Sequence, residues 1–505
     1  MPPRLIDAYG KTIESYSYNG NGSMINKVNG LGEETSYTYN TEGFLTQVTN
    51  PDGTISNSSY DILGRITTAK DELGHETAVT YDSVGNTTIV TNANGATTNY
   101  EYDIAGRVTK VINPLGYEES YTYNSEQLLE KYKNANNDTV KYTYDTIGRI
   151  TSVKDDVGKI TYTYDNNGNI ITVSEHGDTI KRTYDKLNRI TSVTDYKGDT
   201  VSYSYDEVGN LISLTYPGGE IVRYSYYKNG LLKTVKDWDN RVTNYSYDKN
   251  GRLTKTIKAD GSIETKKYDV LGRVIEQTDI TDKGEVIERL EYSYDKVGNI
   301  VSKTVDSEGT DGLVSAKMTY DDANRLVTYN GEEVKYDKAG NMIYGPVDDK
   351  MTTLKYDSRN RLVEAGGTTY TYDACNNRIA STTDKVETTY VVDTNNRLSQ
   401  VLIATEDKGA TTKYVYGNNL LIGKEITGSK SDYKSQSNGY HVYHFDNIGS
   451  TTAITSEAGV IEVSYSYGPY GELLTDSEGE DFLYNGAYGV ATDDNGLYYM
   501  RARYY

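Results

Sequence analysis

The sequence predicts an all-β protein, a spiral of antiparallel β-hairpins forming a hollow shell or part of one. Three observations predict it: a tyrosine followed by an acid or amide that returns about every 21 residues, two glycine-bearing turns in each period, and short Thr-, Val-, Ile- and Tyr-rich segments between the turns. Tyr18, Tyr39, Tyr60, Tyr81, Tyr102, Tyr123 and Tyr144 are 21 residues apart, and after two steps of 20, at Tyr164 and Tyr184, the beat resumes at Tyr205, Tyr226, Tyr247 and Tyr268. Self-similarity at a fixed period marks a stacked array.

The turns come first. In Tyr60-Asp61-Ile62-Leu63-Gly64-Arg65 and Tyr102-Asp103-Ile104-Ala105-Gly106-Arg107 an acid precedes a glycine by three positions. Asp or Asn opening a type I turn bonds its own backbone, and glycine accepts the left-handed conformation that closes a hairpin through a bulge. Asn50-Pro51-Asp52-Gly53 and Asn113-Pro114-Leu115-Gly116 place a second such turn midway. Two turns per repeat imply two strands per repeat.

The intervening segments are too short for helices and read as strands. Tyr100/Tyr102, Tyr142/Tyr144, Tyr203/Tyr205 and Tyr245/Tyr247 are two apart, so each pair shares a sheet face. Repeated, they build a ladder of phenols, either a sugar-binding strip or cross-strand packing with buried rings and hydroxyls in water. On the partner strand Ile150 and Val153, or Ile190 and Val193, are three apart. Either a bulge corrects their phase or both faces are partly buried.

Further anchors at Tyr294, Tyr320, Tyr336, Tyr356 and Tyr372 bring the repeats to eighteen. At two strands each and about 4.8 Å per strand, the ribbon is roughly 170 Å wide, and rolled into one band its radius is roughly 27 Å, too wide for side chains to fill.

Composition bounds the function. Tyrosine supplies 52 of the 505 residues against three Phe, and the net charge is −21; mean hydropathy is −0.68. The acidic balance argues against nucleic acid or an anionic membrane as partner, and no stretch is apolar enough to span a bilayer. Met1 to Gly10 lacks the apolar core of a signal peptide. Cys375 stands alone, which excludes an intramolecular disulfide and suits a small side chain in a degenerate repeat. His75 and His176 fall in turns, and His441 and His444, three apart on a strand, point to opposite faces, so no metal site is expected. Most aspartates open turns, and each Gly-x-Gly sits in a hairpin, leaving no paired-carboxylate, nucleophile or phosphate-loop signature and no expected cofactor.

Three segments follow: a regular array over 1–300, degenerate repeats with an insertion and loop over 301–432, and a block of different character over 433–505. The Lys-, Ser-, Thr- and Gly-rich stretch from Ala404 to Gly439 reads as a surface loop or connection. The last block holds Tyr467-Gly468-Pro469-Tyr470-Gly471-Glu472 and Gly496-Leu497-Tyr498-Tyr499-Met500-Arg501-Ala502-Arg503-Tyr504-Tyr505.

The repeats resemble the YD repeats of Rhs proteins, teneurins and the cocoon subunits of insecticidal toxin complexes, and the last block is similar to the Rhs repeat-associated core. The resemblance covers nearly the whole chain. It implies a shell segment of a secreted or surface-displayed polymorphic toxin, nonenzymatic itself, enclosing and delivering a C-terminal toxic domain that is the shell's partner. The core motif carries over onto Tyr470, Gly471, Gly496, Leu497, Tyr498, Tyr499, Arg501, Arg503, Tyr504 and Tyr505.

In that family the Arg-x-Arg-Tyr-Tyr run is followed by Asp-Pro segments bearing the acids of a self-cleavage apparatus. The sequence given stops at Tyr505, so no autoproteolysis is expected of it; both ends read as cut from a longer polypeptide. Arg501 and Arg503 are expected on one strand face, either orienting an acid or as ordinary strand arginines. Two rival readings remain. A β-propeller would pair repeats into 42-residue blades, but alternate units do not resemble each other. A cell-surface adhesin would bind glycans through its tyrosines, although Trp238 is the sole tryptophan.

Overall fold

The computed structural model describes residues 3–505 apart from 306–316, 322–323, 348–349, 408, 429–437, 469–470, 476–478 and 502. It is built almost wholly of strands, and Gly486–Tyr488 is the one short helix among the described residues. Consecutive strands pair antiparallel. A 29-stranded sheet runs from Arg4–Ile6 to Ile300–Val305, a three-stranded sheet spans Met318–Tyr320 to Glu332–Glu333, and a 13-stranded sheet runs from Lys335–Tyr336 to Ile461–Ser464.

One repeat explains the rest. The Gly64 amide donates to the Asp61 carbonyl and the Asp61 amide to the Arg65 carbonyl, both at 3.0 Å, while Asp61 Oδ1 accepts from the amides of Leu63 and Arg65 at 2.9 and 3.0 Å. Gly64 sits at φ +77°, and Asn188 and Asn376 fill the same left-handed position at φ 61° and 65°. The phase problem on the partner strand is solved by a bulge. Tyr142 faces Val153 and Thr143 faces Ser152, but Tyr144 faces Ile150, so Thr151 is extra. Tyr142, Tyr144, Ile150 and Val153 therefore share one face, and Thr143 and Ser152 the other.

The matching bulge one repeat earlier, at Glu130, decides what the tyrosine does. Pairing of Leu129–Lys133 with Thr139–Tyr144 stops at Lys131 and Lys141, which leaves the Leu129 carbonyl without a ladder partner. Tyr144 donates its hydroxyl to that carbonyl at 2.6 Å. Tyr60 does the same to Leu45, Tyr102 to Thr87 and Tyr123 to Val108, at 2.7 to 2.8 Å. The expectation of hydroxyls held in water is thus corrected: these phenols complete the backbone ladder of the preceding repeat. The arginine works forward. Arg107 Nε donates to Asp103 at 2.7 Å, and its guanidinium lies 4.4 Å over the Tyr123 ring of the next repeat.

The wall closes on itself in laps, and this corrects the single wide band. Asn250 Nδ2 donates to Asp7 Oδ2 at 3.2 Å, 243 residues away. Arg4–Ile6 is the first strand and Val242–Tyr247 the twenty-fourth, so the first lap takes 23 strands (24 − 1), about 110 Å of wall at a radius of about 18 Å. Later laps tighten. Asn136 meets Asp337 across 201 residues, Tyr203 meets Asp393 across 190, and Lys303 meets Asp446 across 143. At Asp7 and Asn136, Tyr-Asp turns of one lap stand on mid-repeat turns of the lap before.

Before Asn134 the wall of the first lap is one sheet thick. No described residue before Asn134 is buried. The accessible surface is 26,875 Å², against about 18,500 Å² for a compact protein of this mass. The main core forms only where laps overlap and the terminal segment fills the centre, gathering Tyr203, Val235 and Tyr245 with Leu402, Tyr416, Tyr443 and Phe482.

The stretch expected to be a loop from Ala404 to Gly439 is instead mostly strand among its described residues. Thr411–Gly417 and Leu420–Thr427 are strands that bury Tyr414, Val415, Leu421 and Ile426; only its residues 408 and 429–437 lie outside the described set. Its Thr and Lys alternate with apolar residues, a strand pattern that averaged composition conceals. The 29-stranded sheet ends at Val305, and in the 13-stranded sheet Glu425 pairs with Tyr440. Cys375 lies half-buried on a Tyr-Asp turn, its Sγ 3.5 Å from Arg182.

Candidate functional site at the terminal core

The residues marked in the sequence gather at the closed end, except Tyr470, which lies outside the described residues. Asp493 to Gly496 forms the turn of the repeats, with the Gly496 amide donating to the Asp493 carbonyl at 2.8 Å and Gly496 at φ +81°. Asn495 donates to the Ala365 carbonyl and to the Tyr370 hydroxyl, both at 2.9 Å. Leu497 is buried with Leu354, Leu362 and Tyr370. Tyr498 donates its hydroxyl to the Gly471 carbonyl at 2.7 Å. At Gly471, φ is +94° and a Cβ would stand 2.7 Å from the Tyr484 ring, so only glycine fits. Tyr499 and Tyr504 are tilted against each other at 5.0 Å, and the Tyr504 hydroxyl meets that of Tyr372 at 2.9 Å. Tyr505 is exposed, its hydroxyl 3.3 Å from Arg503.

The expected placement of Arg501 and Arg503 on one strand face is corrected. Arg501 lies at φ 63° in a turn closed by the Met500 amide on the Arg503 carbonyl at 2.8 Å, and a left-handed residue breaks the strand alternation. Arg501 Nε donates to the Ser399 carbonyl at 2.9 Å, and another of its nitrogens to the Tyr488 carbonyl. It ties three segments together through carbonyls.

The charged centre was not visible in the sequence. Arg378 Nη1 donates to both oxygens of Asp493 at 2.7 Å, and the buried guanidinium lies 4.1 Å over Tyr499 with Tyr390 and Tyr370 at 5.3 and 5.5 Å. Burial pushes the Asp493 carboxyl up while Arg378 pulls it down. Nearby, Lys424 pairs with Glu480, which also accepts from Tyr443, and Tyr414 donates to Asp481 at 2.7 Å. Arg378, Tyr390, Tyr414, Asp481, Thr492 and Asp493 line a cavity of about 30 Å³, room for one water. Pairs this satisfied and dry clamp structure together.

The histidines stay apart. His441 pairs with Glu462, and His444 packs between Lys258, Asp279 and Thr455 at 2.8, 2.9 and 3.0 Å. Burial and then Lys258 hold His444 below its ordinary pKa. Among the described residues no group of three or more His, Cys, Asp or Glu is placed to hold a metal ion.

Comparison with known proteins places this architecture. The teneurin YD-shell model matches residues 115–264 and 254–495, and the RHS repeat model matches 15–55 and 81–118. The tRNA3(Ser)-specific nuclease WapA of Bacillus spizizenii is 29% identical over 228 residues, 43% of this chain and 9% of that protein. The tRNA nuclease WapA of Bacillus subtilis is 28% identical over the same span, again 9% of its length. A crystal structure of TcdB2-TccC3-Cdc42 superposes on the whole chain with a TM-score of 0.61 at 15% identity, using 34% of that chain. The Tc holotoxin pore of Photorhabdus luminescens superposes on 97% of this chain at 0.60 and 14% identity, using 32% of its own. The chain thus spans a small part of these relatives, and the superpositions show the shared fold. Given its tyrosine-stapled hairpins, its coiled wall and a family match running from residue 115 to 495, the chain belongs to the teneurin YD-shell family.

Proposed function

We propose that this chain is the wall and closed end of a toxin shell, a nonenzymatic container that holds a C-terminal toxic domain away from the cell until delivery. The observation that carries this reading is the wall before Asn134, one sheet thick with no described residue buried, in a chain whose accessible surface is 26,875 Å². The named nuclease relatives and the Tc holotoxin support a toxin setting. A secreted or surface location follows from that setting; no helix among the described residues is long and apolar enough to cross a membrane. The terminal core supports a structural role, since Arg378, Asp493, Lys424 and Glu480 already satisfy one another. Small-angle scattering tests the container: a solid chain of this length has a radius of gyration of roughly 23 Å, and the shell is expected well above it. A value at the solid limit sinks the reading. Appending an unfolded, protease-sensitive polypeptide after Tyr505 then tests confinement, with protection expected and immediate digestion counting against it.

The tyrosine strip as a glycan-binding surface has less support. In each pair the hydroxyl of the Tyr-Asp tyrosine is already donated to a backbone carbonyl, which leaves fewer polar groups to fix a sugar's orientation. Binding on a glycan array would reverse this judgement.

A further inference from the structure

We propose that the seam between the wall and the terminal segment is a proton-operated latch, held closed by a proton on Glu288 and loosened when that proton leaves. On the wall side the seam is formed by Val274–Ile280 and Val286–Tyr294, and on the terminal side by Gly439–Phe445 and Thr451–Ser456. Gln277 donates to the Phe445 carbonyl, the Asn447 amide to the Tyr292 hydroxyl at 3.2 Å, and Lys303 to Asp446 at 2.8 Å. The wall changes character here. Where an earlier repeat sets Tyr142 against Val153, this one sets Lys266 against Gln277. Two residues further along the same face, Asp279 stands opposite Glu288.

The seam holds more acceptors than donors. Gln277 Oε1, Asp279 Oδ1, Glu288 Oε2 and Thr452 Oγ1 are all out of water with no hydrogen-bond partner among the described residues. Oxygens left in this state cost free energy until a donor reaches them. Glu288 can supply one. Its residue is half-buried, whereas Gln277, Asp279 and Thr452 are buried, so it exchanges protons with solvent, and the Thr452 hydroxyl faces it. Protonated, its O–H donates to Thr452 or Asp279. Ionised, it sets a second carboxylate directly across the strand pair from Asp279, with Asp446 adding to the repulsion and Lys303 opposing it.

The charges around it keep their state. Burial pushes Asp279 up, but Lys258 and His444, at 3.0 and 2.9 Å, outweigh it and hold the carboxyl well below the usual range. Lys266 pairs with Glu264 at 3.1 Å, and Asp260 accepts from Ser262 and Thr455. Burial, then Lys258, keeps His444 below its ordinary value, and burial keeps the Tyr292 phenol above its own. Glu288 is thus the group that changes charge near neutrality, its carboxyl pushed up to about 7 by burial.

The latch belongs to the seam and operates whether or not the shell carries cargo. Amide hydrogen exchange of the full chain, corrected for the intrinsic effect of pH, tests it. With the carboxyl at 4.5 when the seam is open and about 7 when it is closed, opening becomes on the order of 20-fold easier between about pH 5.5 and 7.5. Protection of Val286–Tyr294 and Thr451–Ser456 should fall accordingly, while Thr97–Tyr102 in the first lap stays unchanged. Glu288→Gln carries a permanent donor and should hold the seam at the higher pH as tightly as the parent does at the lower. Equal protection of the parent at both pH values overturns the proposal, as does a pH step that persists in Glu288→Gln. Recovery of protection at the higher pH on adding about 5 mM calcium chloride would also overturn it, because the four oxygens would then await a metal ion.

Discussion

Arg378 and Asp493 meet across 115 residues of sequence, with one guanidinium nitrogen donating to both carboxylate oxygens at 2.7 Å. The pair joins a strand of the later sheet to the turn that begins the final segment, and both side chains are almost wholly out of water.

Breaking one side of that pair strands the other charge in a dry site. Asp493→Asn and Arg378→Met should each destabilise the closed end by about 3–5 kcal/mol, and the double replacement Arg378→Met/Asp493→Leu should recover part of that loss. Chemical denaturation of the four proteins checks this, and equal midpoints would show that the pair holds nothing.

Tyr102→Phe removes the hydroxyl that caps the Thr87 carbonyl at 2.7 Å and keeps the ring. The expected cost is about 1 kcal/mol. It should be read locally, as faster amide exchange in Thr87–Thr91 and Thr97–Tyr102 with distant repeats unchanged.

Two glycines separate backbone strain from crowding. At Gly53, φ is +88° with open space where a methyl would stand, while at Gly64, φ is +77° and the methyl would meet the Phe44 ring. Gly53→Ala should cost about 1–2 kcal/mol from the left-handed backbone alone, and Gly64→Ala more, in thermal melts compared side by side. Equal losses would mean that Phe44 simply moves aside.

Glu288 supplies a pH dependence. Burial pushes its carboxyl up to about 7 from 4.5, with Asp279 adding to the rise, and one of its oxygens has no hydrogen-bond partner. A carboxyl raised in the folded state costs nothing below its unfolded pKa and most above its folded one, so its penalty grows as pH rises from 4.5 to about 7, reaching on the order of 3 kcal/mol. Glu288→Gln should raise the melting temperature at pH 8, have little effect at pH 4.5, and flatten the slope between. An unchanged slope would remove Glu288 as its source.

The repeats were legible because their information is local: Asp61 and Gly64 fix a turn within four residues, and Tyr142 and Tyr144 fix a face by alternation. The bulge at Thr151 was legible only as a contradiction, since spacing showed that Ile150 and Val153 were out of phase but not which remedy applied. The tyrosine hydroxyls were misread because their acceptor lies at the matching bulge of the preceding repeat, Glu130 in the case of Tyr144. At the closed end, Gly471, Gly496 and Tyr498 were legible as a motif, whereas Arg378, Lys424 and Glu480 gave no signal. Their partners lie 115 and 56 residues away, and no short-range pattern encodes a contact set by how tightly the laps wind.

That winding has a consequence for how such a chain changes over generations. An open solenoid tolerates gain or loss of a unit, since each one touches only its neighbours. Here Arg359 grips both oxygens of Asp155 at 2.6 and 3.0 Å from 204 residues away, and deleting one hairpin between them would slide the two apart by about 10 Å. The number of repeats is therefore phase-locked, like teeth on meshed gears, and length variation is confined to segments that no other lap reads.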